Sequence, residues 1–297
     1  MLTHPGELAA LMTAICFTIT AIAFELAGKK VGSLAVNFIR IVIALVLVAI
    51  TTSFTRGLAF PSDADAHTWT WLLISGLVGF VIGDMFLFQA YVEIGSRISL
   101  LIMSAAPPLT AVIGFMVMGE RISPLGLVGM VITMAGITMV IVSRNPEEQK
   151  MQLNRPLRGI GFACIGAMGQ ALGLIFSKMG IGTYDPLAAT QIRLLAAMVG
   201  FTAIITARNK WPEIKAALTD KKSMAQITVG AIFGPFIGVT CSLIAVRHTA
   251  TGIVSSISSV SPVIIIPASI LIFKEKALLK EIAGAFVSIV GVAILFL

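Results

Sequence analysis

Charge is scarce in this chain. Asp, Glu, Lys and Arg make up 12% of its 297 residues, about half the share of an ordinary soluble domain. No water-facing surface of the usual kind can be assembled from so few. Histidine occurs only as His4, His67 and His248, none beside another candidate ligand, so no metal site is expected. Cys16, Cys164 and Cys241 lie inside hydrophobic runs at no ligand spacing. They are read as small apolar packing residues, which excludes a disulfide framework. No glycine-rich phosphate loop ending in Gly-Lys-Ser/Thr and no H-E-x-x-H motif is present, so ATP-driven and zinc chemistry have no support. No cofactor is expected. A net charge of +7 invites a nucleic-acid reading, but the basic residues sit in short loops between apolar runs. Their better use is to orient the chain in a bilayer, with no nucleic-acid partner.

What the chain has is apolar length. Hydrophobic residues make up 57% of it and its mean hydropathy is +1.00. A hydrocarbon core ~30 Å thick is crossed by about 20 apolar residues of helix. Ten such runs can be marked, at 6–28, 34–54, 69–92, 98–118, 124–143, 157–179, 186–207, 223–246, 253–273 and 278–297. An all-α polytopic membrane protein with ten transmembrane helices follows. The first run is retained as a helix: it lacks a basic start, and Lys29-Lys30 follow it, the reverse of a signal peptide's charge order.

The chain also states itself twice. Shifted by 155, Ser75, Gly79 and Gly83 fall on Gly230, Gly234 and Gly238, Pro107 on Pro262, Glu120-Arg121 on Glu275-Lys276, and Gly136 on Gly291. At an offset of 153, Asn37 to Arg40 fall on Thr190 to Arg193. Internal repeats of this kind define the architecture before any local reading. The expected units are residues 1–143 and 159–297, joined by a hydrophilic linker at 144–158 with two prolines and mixed charge. Five helices per unit is an odd number, so the second unit enters the membrane in the opposite sense, an inverted-repeat plan common among secondary transporters. Loops after helices 1, 3, 5, 7 and 9 hold fifteen Lys/Arg and the other loops four. The richer side is cytoplasmic by the positive-inside rule, which places both termini outside. The stretch 208–222, with Trp211, reads as a short interfacial helix, and 55–67 is the acidic loop.

Polar groups inside the runs need individual explanations, because charge in a membrane is costly. Arg40 and Arg193 occupy the same place in helices 2 and 7, with Asn37 and Thr190 one turn before them. They either face a central aqueous cavity and bind a carboxylate or phosphate, or snorkel toward helix ends. Asp84 lies deep in helix 3, opposite Val239 in the repeat, with Phe88 and Tyr91 on its face. It binds a cation or proton, or forms a structural ion pair with an arginine. Gln170, in a stripe of Gly166, Gly173 and Ser177, is a buried amide that must find a partner. The serines from Ser255 to Ser261 either bond their own helix or line the cavity. The small-residue faces of helices 3 and 8 permit close packing or sliding. Intramembrane aspartyl proteolysis would need Asp84 and Asp185 side by side, but their motif order is reversed and Val81 replaces the expected glycine.

The segment Ala90-Tyr91-Val92-Glu93-Ile94-Gly95, followed by Gly119-Glu120-Arg121-Ile122, Pro124, Gly129 and Ala135-Gly136, resembles the drug/metabolite transporter superfamily. The duplication, with Glu275-Lys276 and Gly284 in the second copy, is similar to its EamA-type members across the whole chain. The resemblance implies helices 1–4 and 6–9 around a central cavity, with helices 5 and 10 peripheral. It also implies transport of amino acids, nucleotide derivatives, choline-like cations or other metabolites, often outward. Four-helix multidrug members carry a membrane glutamate in their first helix; the aligned positions here are Phe17 and Gln170. Asp84 is then the remaining deep carboxylate for any proton coupling. The expected protein is a monomeric, multi-pass inner-membrane exporter of a small polar metabolite such as an amino acid or organic anion. Its contacts would be Arg40, Asn37, Arg193, Gln170, Asp84 and Tyr91. A lipid-linked substrate translocase or a non-transporting membrane subunit is the alternative, distinguished by a cavity open sideways to lipid.

Overall fold

The computed structural model describes residues 4–103, 105–143, 157–261, 263–264 and 279–296, and every regular element among them is a helix. Helices α1 (Pro5–Val31) and α2 (Ser33–Arg56) are separated only by Gly32. Its φ of +84° is a turn that a Cβ would strain. The next span is composite: α3 (Ala66–Gly76), a π-helical stretch π1 (Leu77–Gly83), then α4 (Asp84–Met103). Helices α5 (Ala106–Met118) and α6 (Pro124–Ser143) follow. The second half holds α7 (Leu157–Ile181), α8 (Pro186–Ala207) and the short α9 (Trp211–Thr219). After them come α10 (Lys221–Ala231), π2 (Ile232–Gly238), α11 (Val239–His248), α12 (Thr251–Ser258) and α13 (Leu279–Leu295).

Among the described residues, six helices are long and apolar enough to cross a membrane, at Pro5–Gly28, Ser33–Arg56, Ala66–Ala90, Leu157–Ile181, Pro186–Ala207 and Lys221–His248. Shorter apolar helices cover Ala106–Met118, Pro124–Met139 and Ile282–Leu295. In the run at 253–273, position 262 and positions 265–273 lie outside the described residues. One boundary differs from expectation. The interruption at 93–97 is helical, and α4 continues to Met103. Glycine and a Glu93/Arg97 pair spaced i,i+4 are compatible with a helix. The break comes instead just before α5, which has proline in its first turn. Proline lacks an N–H, and its ring disfavours helical geometry in the residue before it.

The repeat is written into the backbone as well as the sequence. π1 and π2 begin at Leu77 and Ile232, 155 residues apart, and end at Gly83 and Gly238. Pro235 inside π2 removes one N–H from the ladder. Packing exchanges the halves. α7 lies along α3, π1 and α4, while α1 lies along α10, π2 and α11; α2 packs on α8, α5 on α12, and α6 on α13. The pairs of α7, α1, α5 and α6 with these partners run antiparallel. Gly230, Gly234 and Gly238 meet Phe24, Thr20 and Phe17 in that order, and Gly129 and Gly136 meet Gly291 and Gly284.

Helices in lipid gain no hydrophobic drive from meeting, so close backbone approach has to supply the attraction. At the α3/α7 interface Ser75 Oγ hydrogen-bonds Ser177 Oγ at 2.7 Å and donates to the Gly173 carbonyl at 2.6 Å. A Cβ on Gly169 would stand 2.6 Å from Gly83 Cα. The mirrored α1/π2 interface is built differently, because α1 carries Phe17, Thr20 and Phe24 where α7 carries Gln170, Gly173 and Ser177. There the glycines make room for rings. Gly169→Leu is expected to lose folded protein through overpacking of ~1–3 kcal/mol or more. Gly161→Leu, whose Cβ would meet nothing within 4 Å, should leave folding unchanged. Yield of monodisperse protein after solubilisation checks both.

Candidate functional site

Four elements deliver polar groups to the middle of the bundle. α2 brings Asn37 and Arg40, both buried in its N-terminal half. α8 is started by Pro186 and capped by Asp185, whose side chain accepts from Ala188 N; it carries Arg193 two turns in. α7 contributes Gln170. Asp84 is the first residue after π1. A π stretch inserts residues into the α-helical register, and each extra residue turns the following side chains by about 100°. Asp84 therefore sits where the helix has been re-aimed.

These groups meet around Asp84. Arg40 Nη2 forms an ion pair with Asp84 Oδ2, both side chains buried. Gln170 Nε2 donates to Asp84 Oδ1 at 2.7 Å. The Arg40 guanidinium also lies 5.3 Å from the ring centres of Phe24 and of Phe88, close enough for cation–π attraction on two faces. Arg193 is different. It is 7% exposed and lies 4.9 Å from the Phe80 ring centre, within the electrostatic reach of Asp84. Among the described residues no hydrogen bond or ion pair reaches its guanidinium, and Nε is buried without a partner. One arginine is neutralised and the other is not.

Two expected contacts stand apart from this cluster. Asn37 is 1% exposed, and its Oδ1 has no partner. It lines a cleft of about 160 Å³ at the N-terminal end of α2, together with Met85 and Gln89 of α4. Tyr91 lies on α4, and its side chain falls outside what the structure describes. Asp84 and Asp185 serve separate networks, the second as the cap of α8 beside Arg56 at 3.9 Å. No pair of facing carboxylates is formed by them. No cluster of His, Cys, Asp or Glu able to hold a metal exists among the described residues. Of the serines before Pro262, Ser256 and Ser259 bond carbonyls of their own helix, and Ser261 also reaches the Ala14 carbonyl at 3.0 Å.

The opposite end of the bundle from that cleft is tied shut by polar contacts. Lys178 pairs with Glu120 at 2.5 Å and donates to the Thr249 carbonyl at 2.8 Å. Glu120 Oε2 accepts from Thr251 N at 2.9 Å and from Thr251 Oγ1 at 2.6 Å. A second knot joins Arg56 to Asp63, with Tyr184 Oη donating to Asp63 Oδ1 at 2.8 Å. That hydrogen bond holds the Asp63 carboxyl below the usual aspartate range, and burial raises the Tyr184 phenol. Arg56, Lys178 and Arg247 are three of the four cations in the charge-poor loops, and all are engaged here, Arg247 with the Tyr184 carbonyl at 3.4 Å.

A family model for EamA-like transporters matches the chain twice, over residues 4–142 and 157–297. The chain belongs to the EamA-like transporter family. An uncharacterized transporter of Archaeoglobus fulgidus is 24% identical to it over 300 residues, spanning 98% of this chain and 97% of that one. A solved crystal structure superposes with a TM-score of 0.73 at 15% identity, covering 98% of this chain and 96% of the other. That likeness concerns the fold alone. The EamA assignment makes this a multi-pass membrane transporter. What sequence reasoning missed was the aromatic packing: Phe80 against Arg193 lay in an apolar stretch with nothing to distinguish it. The cleft-lining Gln89, Arg208 and Lys210 were equally silent, since Gln89 is a single amide in an apolar run and the two cations sit at helix ends where polar residues are ordinary.

Proposed function

We propose that this EamA transporter carries a small polar metabolite bearing an anionic group, an amino acid or organic anion, across the inner membrane, and that it exports it. Ten crossings arranged as two inverted five-helix units, 1–143 and 159–297 about a 144–158 linker, would alternate access around the centre of the bundle. Antiparallel packing between equivalent helices of the two halves supports that inversion. Arg193 is the substrate's ionic partner in this reading. Arg40, Asp84 and Gln170 form the polar wall beside it, with Asn37 and Tyr91 as further contacts.

The observation that carries the reading is that Arg40 has an ion pair with Asp84 while the Arg193 guanidinium beside it has neither ion pair nor hydrogen bond among the described residues. A buried charge without a partner is destabilising, and an arginine cannot shed its proton to escape. A substrate carboxylate would complete the site. The test is thermal stability of the purified monomer against amino acids, amines, nucleotides and organic acids. A ligand at 100 times its Kd adds ~2.7 kcal/mol. Hydrogen bonds to charged groups contribute about 1.5–3 kcal/mol. Arg193→Gln is therefore expected to weaken the stabilising anions ten- to a hundredfold. Equal affinity in the variant, or stabilisation by amines alone, would remove Arg193 from the site.

A further inference from the structure

The cleft at the head of α2 has chemistry of its own. α2 begins after Gly32, which offers no side chain to cap it, and no acidic residue lies in its first turn. The N–H groups of Ser33 and Leu34 therefore point out of a 24-residue helix without a side-chain acceptor, at the positive end of its dipole. Both residues line the cleft. A helix start alone would mean little. Asn37 adds an independent sign: it is 1% exposed, its Oδ1 is buried with no hydrogen-bond partner, and the residue lines the same space. Burying an amide unpaired is unfavourable by a few kcal/mol in most settings, and rotation about its Cβ–Cγ bond presents N–H to whatever enters.

The mouth carries Arg208, Lys210 and Glu213. Glu213 pairs with Lys210 one turn away, which leaves Arg208 without a carboxylate partner among the described residues. The opening thus has one net positive charge. Its volume of about 160 Å³ is below the 300–1,000 Å³ of pockets that enclose drug-sized ligands. It suits a headgroup. We propose that this cleft binds an oxyanion, a phosphate or carboxylate, held by the first N–H groups of α2, the Asn37 amide and Arg208. Asn37 precedes Arg40 by three residues, and Met85 follows Asp84. A bound oxyanion would sit about one to two helical turns from the central ion pair. Two sources share this chemistry: a solute arriving from the Lys/Arg-rich side, or the headgroup of an anionic lipid.

Trp211 gives a reporter. It opens α9 beside Lys210, is 37% exposed, and meets Phe38 edge-on at 5.6 Å. With Trp69 and Trp71 replaced by phenylalanine, emission reports this site alone. The full chain would be titrated with inorganic phosphate in neutral detergent, then in phosphatidylcholine nanodiscs with and without phosphatidylglycerol. A saturable change with phosphate, unaffected by phosphatidylglycerol, identifies a soluble oxyanion. A shift with phosphatidylglycerol that also blocks phosphate identifies the lipid. In either case Asn37→Leu and Arg208→Gln should each weaken binding about tenfold or more. Arg208 is exposed, so its variant folds even if the buried one does not. No saturable response to either anion, or responses unchanged in Arg208→Gln, overturns the proposal. Arg193→Gln should leave this titration intact, so failure of the central site and failure of the cleft are read separately.

Discussion

Replacing Asp84 by leucine is expected to destabilise the folded protein by about 3–5 kcal/mol, because it strands a guanidinium in the interior. Arg40 is 5% exposed and has its ionic partner in Asp84. Phe24 and Phe88 flank it but accept no charge-assisted hydrogen bond, and its Nε is already without a partner. Gln170 would lose its acceptor at the same time. The companion variant Arg40→Met is expected to be milder, since a lone aspartic acid can take up a proton while a lone arginine cannot release one. The double replacement Arg40→Met/Asp84→Leu removes both charges and fits methionine between the two rings. It should recover most of the lost stability, as replacement of whole buried pairs by apolar residues often does. The resulting coupling energy measures the pair directly. Recovered stability with transport still absent would give the pair a role in the transport cycle. Recovered transport would make the pair purely structural, and Arg193 would then stand alone as the ionic group of the site.

Much of this arrangement was legible before any coordinates. Duplication at 155 residues announced the architecture, and it recurs as paired π stretches that no propensity argument would have placed. Arg40, Asp84 and Arg193 were conspicuous because charge inside apolar runs needs a reason. Gln170 was conspicuous because a buried amide needs a partner. What periodicity could not give was the partnership itself. Asp84 binds Gln170 across the two halves, and that depends on π1 re-aiming one helix by an offset invisible in a 3.6-residue pattern. The asymmetry between Arg40 and Arg193 was equally hidden, since the repeat makes them look equivalent. Their difference comes from one substitution of the symmetry, Asp84 against Val239. Asn37 was read as part of the same face as Arg40, and it is, but its amide opens toward a cleft rather than into the Asp84 cluster.

Breaking the Lys178–Glu120 tie is expected to shift the conformational equilibrium as strongly as any change at the centre. Glu120 joins three segments: the turn between α5 and α6, the last turn of α7, and the start of α12. With its side chain only 11% exposed, screening by water and salt is weak. The tie is therefore worth more than a surface pair. Glu120→Gln keeps the size and one acceptor for Thr251 but removes the charge that holds Lys178. Loss of about 1.5–3 kcal/mol of charge-assisted bonding would raise the population open at this end about ten- to a hundredfold, if the opening breaks that bond and nothing replaces it. Thr240 reports the change. It is 8% exposed and sits 3.2 Å from Thr190 between α8 and α11. In a background with Cys16, Cys164 and Cys241 replaced by serine, Thr240→Cys should react slowly with an impermeant maleimide applied from this end. It should react at least tenfold faster when Glu120→Gln is added. Equal rates would mean that the second knot, of Arg56, Asp63 and Tyr184, is sufficient to keep the end closed. Arg56→Gln in the same background would then be the variant that opens it, because Arg56 reaches Asp63, the Tyr184 ring and Asp185 together.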